Sequence, residues 1–111
     1  MYQTAAGHSP VKDFLAALED DDTAAVVAAM KDVQLEGLIA ARHLWGDIYE
    51  VRASSGRQAY RVLFAREGRR GQILLAVEAF SKKAQRTPPQ RIEVAEQRLA
   101  DWRSRGRLSL S

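Results

Sequence analysis

The feature that most restricts the fold is a change of hydrophobic period at Ile48, followed by a second change at Thr87. Before Ile48 apolar residues recur every three to four positions, as on one face of a helix. Between Ile48 and Phe80 they alternate or run together, as in strands, and beyond Thr87 the helical spacing returns. Helices segregated from strands in this way predict an α+β domain with an antiparallel sheet. The 111 residues suit a single domain over 1–111.

Ser9 is a good N-cap, and Pro10 suits a first helical position, where a missing N–H costs nothing. Val11, Phe14, Leu15 and Leu18 form the stripe of this first helix, which ends at the acidic run Glu19–Asp22. That run lacks the glycine-turned loop of a calcium site. Asp21 or Asp22 is expected instead to cap a second helix, Thr23–Glu36, with Val26, Val27, Met30 and Val33 buried and Gly37 as its stop. The two helices make a hairpin. Leu38–Asp47, containing His43 and Trp45, reads as an irregular bridge.

Three strands follow: Ile48–Arg52, Gln58–Ala65 and Gln72–Phe80, joined by Ala53–Gly56 and Gly68–Gly71 as an antiparallel meander. The continuous apolar run Ile73–Val77 predicts a central strand covered on both faces. Alternation puts Ile48, Glu50 and Arg52 on one face of the first strand, with Tyr49 and Val51 on the other. On the second strand Tyr60, Val62 and Phe64 face one way, Arg61 and Leu63 the other. Tyr49, Tyr60, Trp45 and Trp102 read as packing residues. The last helix is capped by Thr87, with Pro88 at its first position and Gln90 completing a capping box. It buries Ile92, Ala95, Leu99 and Trp102 and stops at Gly106, which makes 107–111 a frayed tail.

Charge divides the chain. Residues 1–50 carry three Lys/Arg against nine Asp/Glu, a net −6, whereas residues 51–111 carry fourteen against five, a net +9. Twelve of those fourteen are arginines, whose planar fork matches phosphate, so the second half is suited to a polyanion. The absence of cysteine excludes disulfides and thiolate metal sites. No apolar run approaches the ~20 residues of a membrane span, and the N-terminus lacks the order of a secretory signal; a cytoplasmic protein is expected. Arg61 is an isolated charge among β-formers, either paired with Glu50 or Glu78 or part of an anion site. Lys82, Lys83 and Arg86 follow the last strand, next to a helix N-terminus that favours anions.

Gly46-Asp47-Ile48-Tyr49-Glu50-Val51-Arg52 resembles the Gly-x-Leu-Tyr-Glu-Leu-Arg strand of RelE/ParE-superfamily toxins, in particular the phage-derived, HigB-like branch. Tyr60-Arg61-Val62-Leu63-Phe64 is similar to that family's Tyr-Arg-Val-Leu-Tyr/Phe strand. Ala79–Pro88 is similar to its Phe-x-Lys-Lys-x-x-Lys-Thr-Pro signature, and Ser9-Pro10-Val11-x-x-Phe14-Leu15 suits the branch's first helix. The resemblance implies a RelE-like fold: helical hairpin, antiparallel sheet of three to four strands, C-terminal helix. Such toxins open with a strand, for which Met1–Thr4 leaves little room.

The resemblance further implies the toxin of a type II toxin–antitoxin system, a metal-independent, cofactor-free endoribonuclease that cuts mRNA on the ribosome. Its partners would be the ribosome, mRNA and a cognate antitoxin of helix-turn-helix type. By the family match Arg61 stabilises transition-state charge, Arg52 assists, and Lys82 and Lys83 bind phosphate or move a proton. Arg57, Arg66 and Arg86 would bind RNA at the rim of one concave basic face. The general base stays open among His43, Glu50, Glu78 and a lysine. The alternatives are a ParE-like DNA gyrase inhibitor and an inactive phage-derived nucleic-acid-binding module.

Overall fold

A computed structural model describes residues 1–56, 58–67, 73–81 and 87–110. Helix α1 spans Pro10–Ala16 and is capped as expected, the Ser9 hydroxyl accepting from the Lys12 amide at 3.4 Å. Helix α2 spans Asp20–Glu36, so it begins ahead of the residues expected to cap it. Glu19 holds the N-cap position with extended backbone and no side-chain cap. Asp20, Asp21 and Asp22 fill the first turn, where the helix dipole favours negative charge. Asp22 is committed elsewhere: its carboxylate accepts the Tyr60 hydroxyl at 2.7 Å, tying α2 to the sheet.

Gly37, at φ 71°, ends α2 and opens a short 3₁₀ turn, Gly37–Ala40. Strand β1, Arg42–Trp45, then occupies what reads from sequence as an irregular bridge. Four residues are too few to display a period; what makes them a strand is pairing to β2, Ile48–Ser55, across a tight turn at Gly46, φ 52°. Strand β2 extends three residues beyond its expected end, as far as Ser55, and Gly56 follows it at φ 56°. Strands β3, Gln58–Glu67, and β4, Ile73–Ser81, complete an antiparallel sheet of order β1-β2-β3-β4.

Strand β4 therefore lies at the end of the sheet, not at its centre. The apolar run does report burial on both faces, and Leu75 to Phe80 are all buried. A hydrophobic run senses what covers the faces and says nothing about the edges, which are backbone. At the outer edge of β4 the Tyr2 amide donates to the Ala76 carbonyl at 2.9 Å, while residues 1–4 form no strand.

Helices α1 and α2 cover one face of the sheet, over Val51, Tyr60, Val62, Phe64, Ala76 and Ala79. The other face, with Ile48, Leu63, Ala65, Leu75, Val77 and Phe80, packs under α3, Pro89–Leu110, through Ala95 and Leu99. Trp102 packs there as expected, but Trp45 is exposed on the β1 hairpin. Gly106 does not stop α3, which runs on through most of the expected tail to Leu110; one helical glycine costs only about 1 kcal/mol. Tyr2 fastens the N-terminus to α3, its hydroxyl donating to Asp101 at 2.6 Å with the Arg98 and Arg105 guanidinia near its ring.

Candidate active site

Alternation on β2 and β3 brings Glu50, Arg52 and Arg61 together on the α3 side. The register places Arg52 directly opposite Arg61, with Glu50 opposite Leu63 one pleat away. Two arginines facing each other across a ladder repel, and Glu50 answers both. Its Oε1 accepts from Arg52 Nε at 3.3 Å and lies 3.4 Å from Arg61 Nε. The Arg61 Nε is buried and in ion-pair range without hydrogen-bond alignment, while Nη1 donates to the Tyr60 carbonyl at 3.0 Å. Burial pulls the Arg61 guanidinium below its ordinary pKa; Glu50 opposes this and Arg52 adds to it. Arg61 is 9 % exposed and Glu50 2 %, whereas about half of the Arg52 side chain (53 %) meets solvent. The facing pair thus combines a buried guanidinium, Arg61, with an accessible one, Arg52.

Thr87 belongs to this site and not to the cap of α3. Its hydroxyl donates to Glu50 Oε2, so the residue that leads into the helix is fixed to the sheet by the buried carboxylate. A second buried glutamate repeats the pattern nearby. Glu78 is bridged by Arg91 and Arg98 of α3, each at 3.2 Å, and accepts the Ala79 amide at 3.0 Å. Strict alternation from Leu75 would turn Glu78 toward α1 and α2. A bulge at Val77, where Leu63 pairs Glu78 and Phe64 pairs Ala76, turns Glu78 and Phe80 toward α3 instead.

His43 pairs with Tyr49 and packs against its ring at a tilt of 57°, centroids 5.0 Å apart, on the face of α1 and α2. Its Nε2 lies 2.7 Å from the Gly46 carbonyl oxygen. It is on the wrong side of the sheet from Arg61. Glu50 and Glu78 are buried with their oxygens engaged by arginine, threonine and backbone donors. Lys82 and Lys83, with Arg57 and Arg86, lie outside the described residues.

Arg66 is not brought to the cluster: it sits five positions along β3 from Arg61, with opposite parity, and pairs with Asp47 at 3.6 Å. The cleft between α3 and the start of β2, about 430 Å³ and lined by Asp47, Ile48, Leu99 and Arg103, contains no member of the cluster. Among the described residues no group of three or more His, Cys, Asp or Glu could hold a metal ion, and no helix is long and apolar enough to cross a membrane.

A family model for phage-derived Gp49-like proteins (DUF891) matches residues 13–100, from within α1 to within α3, and so spans the whole cluster. The chain belongs to that family. It is a RelE/toxin-like family, which agrees with the α+β architecture and the four-stranded antiparallel sheet. No curated protein matches the chain. Residues that sequence reasoning missed include Thr87 as a Glu50 partner and Arg91 and Arg98 as Glu78 partners. The i, i+7 spacing of Arg91 and Arg98, two turns apart on one helix face, was the available signal.

Proposed function

We propose that this chain is the toxin of a type II toxin–antitoxin pair and cuts mRNA on the ribosome. The observation that carries the reading is the facing pair Arg52–Arg61 gathered on one buried carboxylate, in a chain of a toxin-like family. In such a cut the ribose 2′-oxygen attacks the adjacent phosphorus and the 5′-oxygen leaves. The products are a 2′,3′-cyclic phosphate and a 5′-hydroxyl; a base removes the 2′ proton and an acid protonates the 5′-oxygen. The charge that builds on the phosphorane oxygens is met by Arg52 from the solvent side and by Arg61 behind it. Neither arginine can be the base, because a guanidinium does not deprotonate in proteins. With His43 on the other face and both glutamates engaged, the proton falls to Lys82 or Lys83, one accepting and one donating. Arg57 and Arg86 supply further phosphate contacts, and a helix-turn-helix antitoxin silences the toxin in the cytoplasm.

The burial of Arg61 favours a second reading, a nucleic-acid-binding module without cleavage. Primer extension on mRNA after induction, with and without ribosomes, separates the two. Ribosome-dependent ends within codons support the toxin, and intact mRNA with bound RNA supports the module.

A further inference from the structure

The acidic first half of the chain contains a single arginine, Arg42. Strand β1 carries it onto the site face: Arg42 pairs with Glu50 in the β1–β2 register, and cross-strand partners share a face. Leu44, two residues on, packs against the apolar cluster on that side, which agrees with this orientation. Arg42 would be expected to pair with Glu50. Both Glu50 oxygens are already engaged by Arg52, Arg61 and Thr87, and Arg42 is exposed with no ion pair among the described residues. Its charge is directed to solvent beside an occupied carboxylate.

The sheet then sets the spacing. Arg61 and Arg52 are directly opposite, about 5 Å apart at Cβ, and Arg52 and Arg42 are diagonal neighbours at about 7–8 Å. Three guanidinia therefore step across β3, β2 and β1, from a buried anchor through a half-exposed member to an exposed one at the sheet edge. We infer that Arg42 is a phosphate-binding residue that extends the Arg52–Arg61 site toward the β1 edge, so that a single-stranded polynucleotide crosses the strands there. The inference rests on the toxin reading only for the identity of the ligand as RNA, and it does not require cleavage.

The test uses the full chain and a ten-nucleotide oligouridylate, with affinity measured by fluorescence anisotropy over a series of salt concentrations. Each phosphate contact to a single strand contributes ~0.7 to the slope of log affinity against log salt. Arg42→Ala should lower that slope by about 0.7, and Arg42→Lys should restore it. Lys12→Ala, on α1 across the sheet, should leave it unchanged. An unchanged slope in Arg42→Ala, an equal fall in Lys12→Ala, or no binding by the parent protein at low salt would each overturn the inference. Should Arg42→Ala not fold, Arg42→Gln gives the same reading with a polar edge side chain. RNA binding without cleavage on ribosomes removes the toxin reading and leaves Arg42 in place. Cleavage with an Arg42-independent slope does the reverse.

Discussion

The two faces of the sheet are built on opposite principles. Under α1 and α2 the contact is almost wholly apolar, with Val11, Val26, Val33, Val62 and Phe64 at its centre and the Tyr60–Asp22 hydrogen bond at its margin. Under α3 the apolar cluster is flanked by two buried glutamates, each joined to two arginines, and by the Arg103 bridges to Asp47 and Glu67 at 2.9 and 2.8 Å. Burying a charge costs several kcal/mol unless it is well paired, and apolar substitutes of similar size are often no worse for stability. The first face is what holds the domain together. The second spends stability on arginines held in fixed places, which is what a polyanion site needs.

The sharpest way to break this comparison is to exchange the chemistry. Phe64→Ala should cost ~3–5 kcal/mol, as large-to-small changes in a packed core do. Arg61→Leu alone should cost ~3–5 kcal/mol, because it leaves Glu50 buried with one fewer partner. The double change Glu50→Leu with Arg61→Leu should recover most of that loss. Urea unfolding measures all three; a double variant as unstable as Arg61→Leu would mean that the polar face is structural after all.

Next in size is the functional effect of Arg61→Ala. Loss of a donor that acts chiefly on the transition state should lower mRNA cleavage by roughly 10²–10³, or about 2.7–4 kcal/mol of barrier. Ribosome binding should change far less, since other cations share that work. Full cleavage by a folded Arg61→Ala protein would remove Arg61 from the chemistry.

Acid should release the two faces unequally. Asp22 is held below its ordinary value of 3.8 by the Ser55 and Tyr60 hydroxyls, Asp47 by Arg103, and Asp101 by the Tyr2 hydroxyl. A carboxyl depressed in the folded state stabilises above its unfolded pKa and loses that contribution as pH falls through the folded value. Stability should therefore decline as pH falls below about 4. Two of the three groups fasten α3 and one fastens α2, so amide exchange should rise first in α3. Asp22→Asn should flatten the acid response of α2 alone.

The smallest effect is that of salt. Raising ionic strength from about 0.1 to 1 M shortens the screening length from about 10 to 3 Å and weakens partly exposed ion pairs. Protection of α3 should fall slightly relative to α2, and equal changes in both helices would erase the contrast between the two faces.

Much of this was legible in the chain. The period change at Ile48 announced the sheet, Ser9-Pro10 marked the start of α1, and alternation put Glu50, Arg52 and Arg61 on a common face. Legibility failed where a residue's role depends on a distant partner. Asp22 has the composition of a cap, yet Tyr60, 38 positions away, takes its carboxylate. Thr87 has the signature of a cap, yet Glu50, 37 positions away, takes its hydroxyl. Arg42 was obscured in an acidic half and a four-residue strand. His43 looked able to reach the site until pairing with Tyr49 put it on the other face.

The sequence by itself determined the class of fold, the order of its longer elements and the parity of β2 and β3, because periods of two and 3.6 are local properties of the backbone. Only the tertiary structure decided which strand lies at the edge, where the ladder bulges and which carboxylate answers which arginine. The bulge at Val77 shows the reason. One extra residue reverses the parity of all that follows it, and so carries Glu78 to α3. That residue is accommodated by pairing with β3, an interaction that no local pattern records.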